Sequence, residues 1–349
     1  MGYRILIVGD SKQYTAKLIK DIQRKLGKGF IRSGCDVQAF DYNTAFSHCA
    51  PLTSYLLTRK ICKDKVDDLL VRQSKKYQPD IIMITFANFL DRQTIQKLRL
   101  ANKNAFICAF DGDLWPHLHK NRIEAAKETD LVITTNDGSG RQAYKDSGIK
   151  CVFMPYPCDP DLEHRYNISE EWKCDILFTG QTRDKSSKYP VENTRSELLT
   201  RLSKTANARI YGAFGFPKIG GMDYLYAING ARIGLSVNAD NNVRMCHSDR
   251  FYTYLSCGTF VLAKKVPDSD LLFQDGTHLR YFETNDEFFE LADWYLKHDQ
   301  ERQKIAAAGM QRAHDEFNCE KIARYIIDSI VKGSYDAPWT NMNTEGAEI

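Results

Sequence analysis

The sequence lacks the short motifs that mark several common classes of enzyme. It has no G-x-G-x-x-G segment and no G-x-x-x-x-G-K-[ST] segment, so the usual signatures of a nicotinamide site and of an NTPase phosphate loop are missing. No nucleophile elbow or Ser/His/Asp triad is visible. Its ten cysteines form no C-x-x-C pair, so neither a zinc site nor a redox motif is indicated. We expect free, buried thiols in a reducing compartment.

Long apolar runs are also missing. No stretch approaches the roughly 18 apolar residues that a membrane span needs. The first residues, MGYRILIVGD, resemble a strand and a turn and lack the charged-then-apolar layout of a signal peptide. The sequence therefore predicts a cytoplasmic protein, with a peripheral position on a membrane as an alternative. No obligate protein partner is indicated.

Charge is distributed unevenly along the chain. The net charge is only +3, yet residues 1–155 contain 25 lysines and arginines against 16 aspartates and glutamates. The rest of the chain is net acidic. A basic first half suggests an anionic partner, such as DNA, a phospholipid membrane surface or a phosphorylated acceptor, although an ordinary solvated surface would have the same composition.

Apolar strands alternate with amphipathic helices, and the pattern occurs twice. It begins with RILIVG at 4–9 and restarts with CDILFTG at 174–180. Such alternation predicts an α/β fold with two Rossmann-like, doubly wound parallel sheets facing a central cleft. We predict an N-terminal acceptor-binding domain over 1–157 and a C-terminal nucleotide-sugar-binding domain over 158–332. The last helix could pack back on the first domain, and the polar tail 333–349 is predicted to be disordered.

The strand ending in FTG at 178–180 has features of an anion site. A glycine at a strand end lets a ligand approach the backbone, and the following helix directs its N–H groups toward that point. Several cations follow the strand, namely Arg183, Lys185, Lys188 and Arg195. This pattern favours a diphosphate cradle, and a plain βα turn with surface cations is the alternative.

A second segment, SVNADNNVRMCHSDRFYTYLSCGTFVLAKK, carries a family resemblance. Together with the F-x-D-G at 273–276, it resembles the CgeB-like branch of glycosyltransferases with the GT-B architecture. The matching positions include Ser248, Arg250, Tyr252, Cys257, Gly258, Phe273, Asp275, Gly276, Phe282, Asp286 and Glu287. The resemblance is strongest over 174–320.

The resemblance implies that the C-terminal domain binds the donor, a nucleoside diphosphate-sugar with UDP expected, without a cofactor or a metal. The implied donor-binding residues are Gly180, Gln181, Arg183, Arg195, Tyr211, Gly212, Asn238, Asn242, Ser248, Arg250 and Thr253. Thr253 is a departure, because many relatives have at this position a glutamate that grips the ribose. His247, beside Ser248, is a candidate phosphate or acceptor contact.

The first domain offers a carboxylate for catalysis at AFICAFDGDLWP, 105–116. Asp111 is the predicted general base, because it follows a strand as in the phage DNA β-glucosyltransferases, to which there is a weaker parallel. Asp113, Trp115, Gly9 and Asp10 are the predicted acceptor residues. Two alternatives stay open, in which Asp111 and Asp113 hold Mn²⁺ or Asp111 caps a turn.

These observations predict a metal-independent glycosyltransferase acting on an acceptor hydroxyl. A glycan or lipid-linked glycan acceptor is slightly favoured, and modified DNA comes next. Two other functions are compatible with the same scaffold: a nucleotide-sugar epimerase, and a non-catalytic nucleotide-sugar-binding protein, which Thr253 would favour.

Overall fold

The fold was analysed in a computed structural model, which describes residues 2–9, 22–49, 55–85, 90–112, 118–181 and 193–340. The chain divides into two compact units. Among the described residues, unit 1 contains those of 2–9, 22–155 and 319–340, and unit 2 contains those of 156–318.

Unit 1 is built on a six-stranded parallel sheet. Its strands are β1 (Arg4–Gly9), β2 (Asp36–Asp41), β3 (Ile81–Thr85), β4 (Phe106–Asp111), β5 (Leu131–Thr134) and β6 (Cys151–Phe153), in the order β2-β1-β3-β4-β5-β6. The helices between them are α1 (Ile22–Arg32), α2 (Tyr42–Cys49), α3 (Tyr55–Tyr77), α4 (Arg92–Ala101), α5 (Lys120–Ala126) and α6 (Ser139–Asp146). Five of the six residues of β1 are buried, as expected for a parallel strand covered on both faces.

Unit 2 repeats the plan with five parallel strands. They are β7 (Cys174–Thr179), β8 (Ala208–Tyr211), β9 (Ala231–Ser236), β10 (Phe260–Lys264) and β11 (Arg280–Phe282), in the order β11-β10-β9-β7-β8. The helices are α7 (Asn193–Leu202), α8 (Gly221–Gly230), α9 (Asp249–Ser256), α10 (Asn285–Lys297) and α11 (Asp299–Glu316). Helix α9 is followed by Gly258, whose φ of +70° is the left-handed conformation that commonly ends a helix.

The C-terminal segment of the chain belongs to unit 1. Helix α12 (Cys319–Val331) packs on α1, where Gly29 lies against the carbonyl of Cys319 so closely that a Cβ would be 2.0 Å from its oxygen. Beyond the helix, Tyr335 and Trp339 are buried, and the Tyr335 hydroxyl donates to the carbonyl of Phe153. The prediction of a disordered tail from residue 333 is therefore wrong for residues 335–339, because their aromatic side chains pack into unit 1.

Both sheets have the strand order of a doubly wound fold, in which the chain reverses direction across the sheet at one place. In unit 1 this place lies between β1 and β3, and in unit 2 it lies between β7 and β9. Ligands of such sheets bind outside the carboxyl ends of the two strands that flank the reversal. All ten cysteines are free, and nine are buried. No helix within the described part of the chain is both long and apolar enough to cross a membrane.

Candidate donor site in unit 2

Arg250 lies across the carboxyl ends of β7 and β9. Its guanidinium donates from Nη1 to the carbonyl of Thr179, the last residue of β7. It donates from Nη2 to the carbonyl of Val237, directly after β9, at 2.9 Å. The second residue of α9 thus places a cation at the reversal point of the sheet, where this fold binds ligands.

The charge of Arg250 is buried and forms no ion pair with the described carboxylates. The side chain is 6% exposed, and no ion pair joins it to any carboxylate of the described residues. Burial lowers the pKa of its guanidinium. Its Nε is enclosed and finds no hydrogen-bond acceptor in the described part of the chain. Because burying an unpaired charge is costly, this arrangement is that of a site that receives an anion.

A second guanidinium lies beside the first. Arg195 of α7 is 8% exposed and donates from Nη2 to the carbonyl of Gln181 at 3.0 Å. The guanidinium carbons of Arg195 and Arg250 lie 5.7 Å and 4.7 Å from the centre of the Phe178 ring. Two cations held on one aromatic ring concentrate positive charge at the end of β7.

Glycine is required where the chain leaves β7. A Cβ on Gly180 would lie 2.6 Å from Nη1 of Arg250 and 3.0 Å from the Phe178 ring. Its amide donates to the carbonyl of Tyr211 at 2.9 Å. Gly212 has a φ of +86°, and a Cβ there would lie 2.8 Å from the Gly180 carbonyl oxygen. The predicted residues of the β7 and β8 turns are therefore in contact.

The amino end of α9 completes the cluster. Ser248 is the N-cap residue, yet its hydroxyl makes no capping bond and is buried without a partner among the described residues. Asn238 fixes the segment before α9, because its side chain accepts a hydrogen bond from the Ser248 amide at 3.3 Å and donates one to the Cys246 carbonyl at 2.7 Å. Asn242 is exposed on the same loop. We refer to Gly180, Arg195, Asn238, Ser248 and Arg250 as the strand-end site.

Two of the candidate residues are buried against other side chains of unit 2. Thr253 is fully buried, and its hydroxyl lies 3.3 Å from the Glu163 carboxylate and 3.2 Å from the Asp249 carbonyl oxygen. His247 is stacked on Phe251 with ring centres 3.9 Å apart. Burial lowers the pKa of His247 to about 3, so its ring is neutral at pH 7 and does not supply a positive charge for a phosphate. Glu163 was missed in the sequence, because nothing local signals its contact with a residue 90 positions away.

In unit 1, Asp111 is held in a buried ion pair. One oxygen accepts from Nη1 of Arg122 at 2.6 Å, and the other accepts from the Tyr144 hydroxyl at 2.7 Å. The carboxylate is 3% exposed. This geometry favours a role in holding β4 to α5 and α6, whereas a general base needs an open approach to the hydroxyl that it deprotonates.

The other predicted residues of unit 1 are only partly described. Gly9 ends β1 at the reversal point, where a Cβ would lie 1.9 Å from the Thr85 hydroxyl oxygen at the end of β3. Asp10, Asp113, Trp115 and, in unit 2, Arg183 lie outside the described residues. Within the described ranges, no group of three His, Cys, Asp or Glu side chains is arranged to hold a metal ion.

Residues 194–328, which contain Arg195, Ser248 and Arg250, match the family model described as glycosyl transferase-like. No protein of curated function matches the chain in sequence.

Solved structures share the fold over nearly the whole chain. Alr3699/HepE of Anabaena, in complex with UDP-glucose, is 12% identical with a TM-score of 0.59, and the match covers 95% of this chain and all of that one. The catalytic domain of starch synthase IV from Arabidopsis thaliana, bound to ADP and acarbose, is 10% identical with a TM-score of 0.63 over 95% of this chain and 99% of its own. An alpha-glucosyltransferase in complex with UDP and a 13-mer DNA containing an HMU base is 11% identical with a TM-score of 0.57 over 95% and 100% of the two chains.

These structures have the two-sheet GT-B fold, which confirms the predicted fold class. The narrower CgeB-like assignment stays a prediction. Residues 194–328 thus match a glycosyl transferase-like family model, and the whole chain has the GT-B fold.

Proposed function

We propose that the protein transfers a sugar from a nucleoside diphosphate-sugar, with UDP as the nucleotide, to an acceptor hydroxyl. The observation that carries this proposal is the unpaired, buried guanidinium of Arg250 at the reversal point of the unit 2 sheet. Alr3699/HepE binds UDP-glucose and shares the fold, which supports the choice of nucleotide.

The strand-end site is suited to stabilise a leaving diphosphate. When the bond between the sugar and the diphosphate breaks, negative charge builds on the phosphate oxygen that leaves. Arg250, Arg195 and the first N–H groups of α9 provide a fixed positive field there, and the Ser248 hydroxyl adds a donor. With this field supplied by the protein, we propose that transfer proceeds without a metal.

The acceptor is assigned to unit 1, where Gly9, Asp10, Asp113 and Trp115 are the proposed contacts. A glycan or a lipid-linked glycan is preferred, and DNA with a modified base comes next. The DNA alternative has the support of the basic composition of residues 1–155 and of the similar alpha-glucosyltransferase that was solved with DNA. Steep loss of duplex DNA binding with rising salt would favour it.

The donor assignment is tested by calorimetric titration with UDP, ADP, GDP and CDP, each in EDTA and again in Mn²⁺. We expect UDP to bind most tightly, with equal affinity in EDTA and Mn²⁺. In a separate assay without an acceptor, the protein should hydrolyse UDP-glucose slowly. Binding of none of the four nucleotides would overturn the proposal, and binding of UDP only with Mn²⁺ would overturn its metal-independent part.

A further inference from the structure

A polar pocket lies at the amino ends of strands in the unit 2 sheet. It has a volume of about 320 Å³, and its lining includes Ala231 at the start of β9 and Phe260 at the start of β10. The strand-end site is at the opposite ends of these strands. A six-residue strand spans roughly 20 Å, so the two places are separate. We call this second place the rear pocket.

The charges that line the rear pocket have one sign. Its charged lining residues are Arg165, Lys173, Arg232 and Arg302. Asp and Glu are missing from the described lining. Arg232 is neutralised from outside the pocket by Asp175 at 3.0 Å and by Asp299 at 2.6 Å.

Arg165 has no such partner. Its Nη2 donates to the carbonyl of Gly258, and no carboxylate of the described chain pairs with it. Gly258 accommodates the guanidinium, because a Cβ at this position would lie 2.7 Å from Nε of Arg165. The residue as a whole is exposed, but burial of its guanidinium lowers the pKa of Arg165, and the positive charge of Arg302, which lines the same pocket, lowers it further.

Arg302 is the second of these cations, and it is firmly held. The residue is 6% exposed, and its Nη1 donates to the Tyr295 carbonyl at 2.7 Å and to Asp299 at 2.6 Å. Both of these bonds use Nη1, so Nε and Nη2 of Arg302, like Nε and Nη1 of Arg165, have no acceptor within the described chain. Two guanidiniums that line one pocket and have donors to spare are the groups that proteins commonly use to bind a phosphate.

The remaining lining suits hydroxyl groups. Helix α8 ends at Gly230, and carbonyls at a helix end accept hydrogen bonds. The exposed amide of Gln303 can both donate and accept. The volume of the pocket is at the lower end of the range for small-molecule sites, which fits a ligand of about the size of a hexose phosphate.

We propose that the rear pocket binds a small phosphorylated polyol, with its phosphate on Arg165 and Arg302 and its hydroxyls toward Gln303 and the end of α8. This site is additional to the proposed donor site and does not depend on it.

The test is calorimetric titration of the full chain with glucose 6-phosphate and with inorganic phosphate, with and without UDP. We expect glucose 6-phosphate to bind more tightly than inorganic phosphate does. Its affinity should be the same with and without UDP. Gln303→Glu should weaken the affinity for glucose 6-phosphate by about tenfold or more, because the new carboxylate repels the phosphate and competes for the arginines. The variant should keep its melting temperature, since Gln303 is exposed and substitutions of exposed residues usually change stability little.

Lys304→Gln is the matched control. Lys304 is the next residue of the same helix, is exposed and lies outside the pocket lining, and its replacement changes the net charge by the same amount. It should retain the affinity of the native protein. The proposal is overturned if millimolar glucose 6-phosphate does not bind, if Gln303→Glu binds it as well as the native protein does, if both variants lose affinity equally, or if UDP displaces it. Equal affinity for inorganic phosphate would overturn the polyol part.

Discussion

Replacing Arg250 by Met should separate donor binding from stability. Methionine has a similar length and no charge, so it fills the space above Phe178 while removing the donors at the reversal point. A charge-assisted hydrogen bond contributes about 1.5–3 kcal/mol. Loss of one such bond to the diphosphate should therefore raise the Kd for UDP by roughly 10- to 150-fold.

The stability of Arg250→Met is governed by two opposing effects. The carbonyls of Thr179 and Val237 lose their donor, which costs about 1–3 kcal/mol for each unsatisfied group. The variant also no longer buries an unpaired cation, which offsets part of that loss. We expect a smaller change in unfolding free energy than in the free energy of UDP binding. The UDP affinity of Arg250→Lys should lie between those of the native protein and Arg250→Met, because the point charge of lysine cannot bridge both carbonyls and also contact a phosphate.

The assay is titration of UDP in EDTA, with urea unfolding of each variant alongside. Arg201→Met is the matched control, because Arg201 also lies over an aromatic ring of unit 2, at 4.3 Å from the centre of Phe289, and forms an exposed ion pair with Asp286. UDP affinity should be unchanged in this control. A folded Arg250→Met protein that binds UDP as the native protein does would refute the assignment of Arg250, and so would an equal loss in the control.

Four further outcomes are expected. Gly180→Ala should fold and lose UDP binding in the same titration, since its methyl group would displace the Arg250 guanidinium. Asp111→Asn should lower the unfolding free energy in urea by about 3–5 kcal/mol, the usual effect of breaking a buried ion pair; loss of transfer activity at unchanged stability would instead restore its role as base. The pKa of His247 is about 3 in the folded chain and about 6.5 in the unfolded chain, so below pH 6.5 only the unfolded chain binds the proton. The unfolding free energy measured in urea should therefore fall by up to about 1.4 kcal/mol per pH unit below pH 6.5. His247→Gln should remove that dependence. Trp339→Ala should lower the melting temperature, because it empties a buried site in unit 1.

The strands of both sheets were largely predictable, because buried parallel strands are continuous apolar runs. Residues 4–9 form the predicted strand, and CDILFTG predicts β7 to within one residue. Strand β11 could not be predicted, since three residues give no periodicity. The burial of Trp339 was also missed, because an isolated aromatic in a polar tail has no local signal for what it packs against.

For the strand-end site, the sequence identified the residue types better than their roles. Arg250 and Gly180 were predicted as donor contacts from the resemblance, but their mutual packing required the register of two strands and a helix. Asp111 could be recognised as a carboxylate after a strand. Its partners Arg122 and Tyr144 lie 11 and 33 positions away, on two different helices, so the ion pair that occupies it is visible only in the fold.

The assignment of α12 to unit 1 has a consequence for biosynthesis. A growing chain exposes residues 21–155 long before residues 319–340, so the first sheet leaves the ribosome without the helix that covers Gly29. Domains generally fold as units during synthesis. Here unit 2 can complete its own core first, and the core of unit 1 is completed only after residues 319–340 have been synthesised. A fragment that stops at residue 318 should expose the apolar surface of α1 and aggregate, whereas residues 156–318 should be the more soluble fragment.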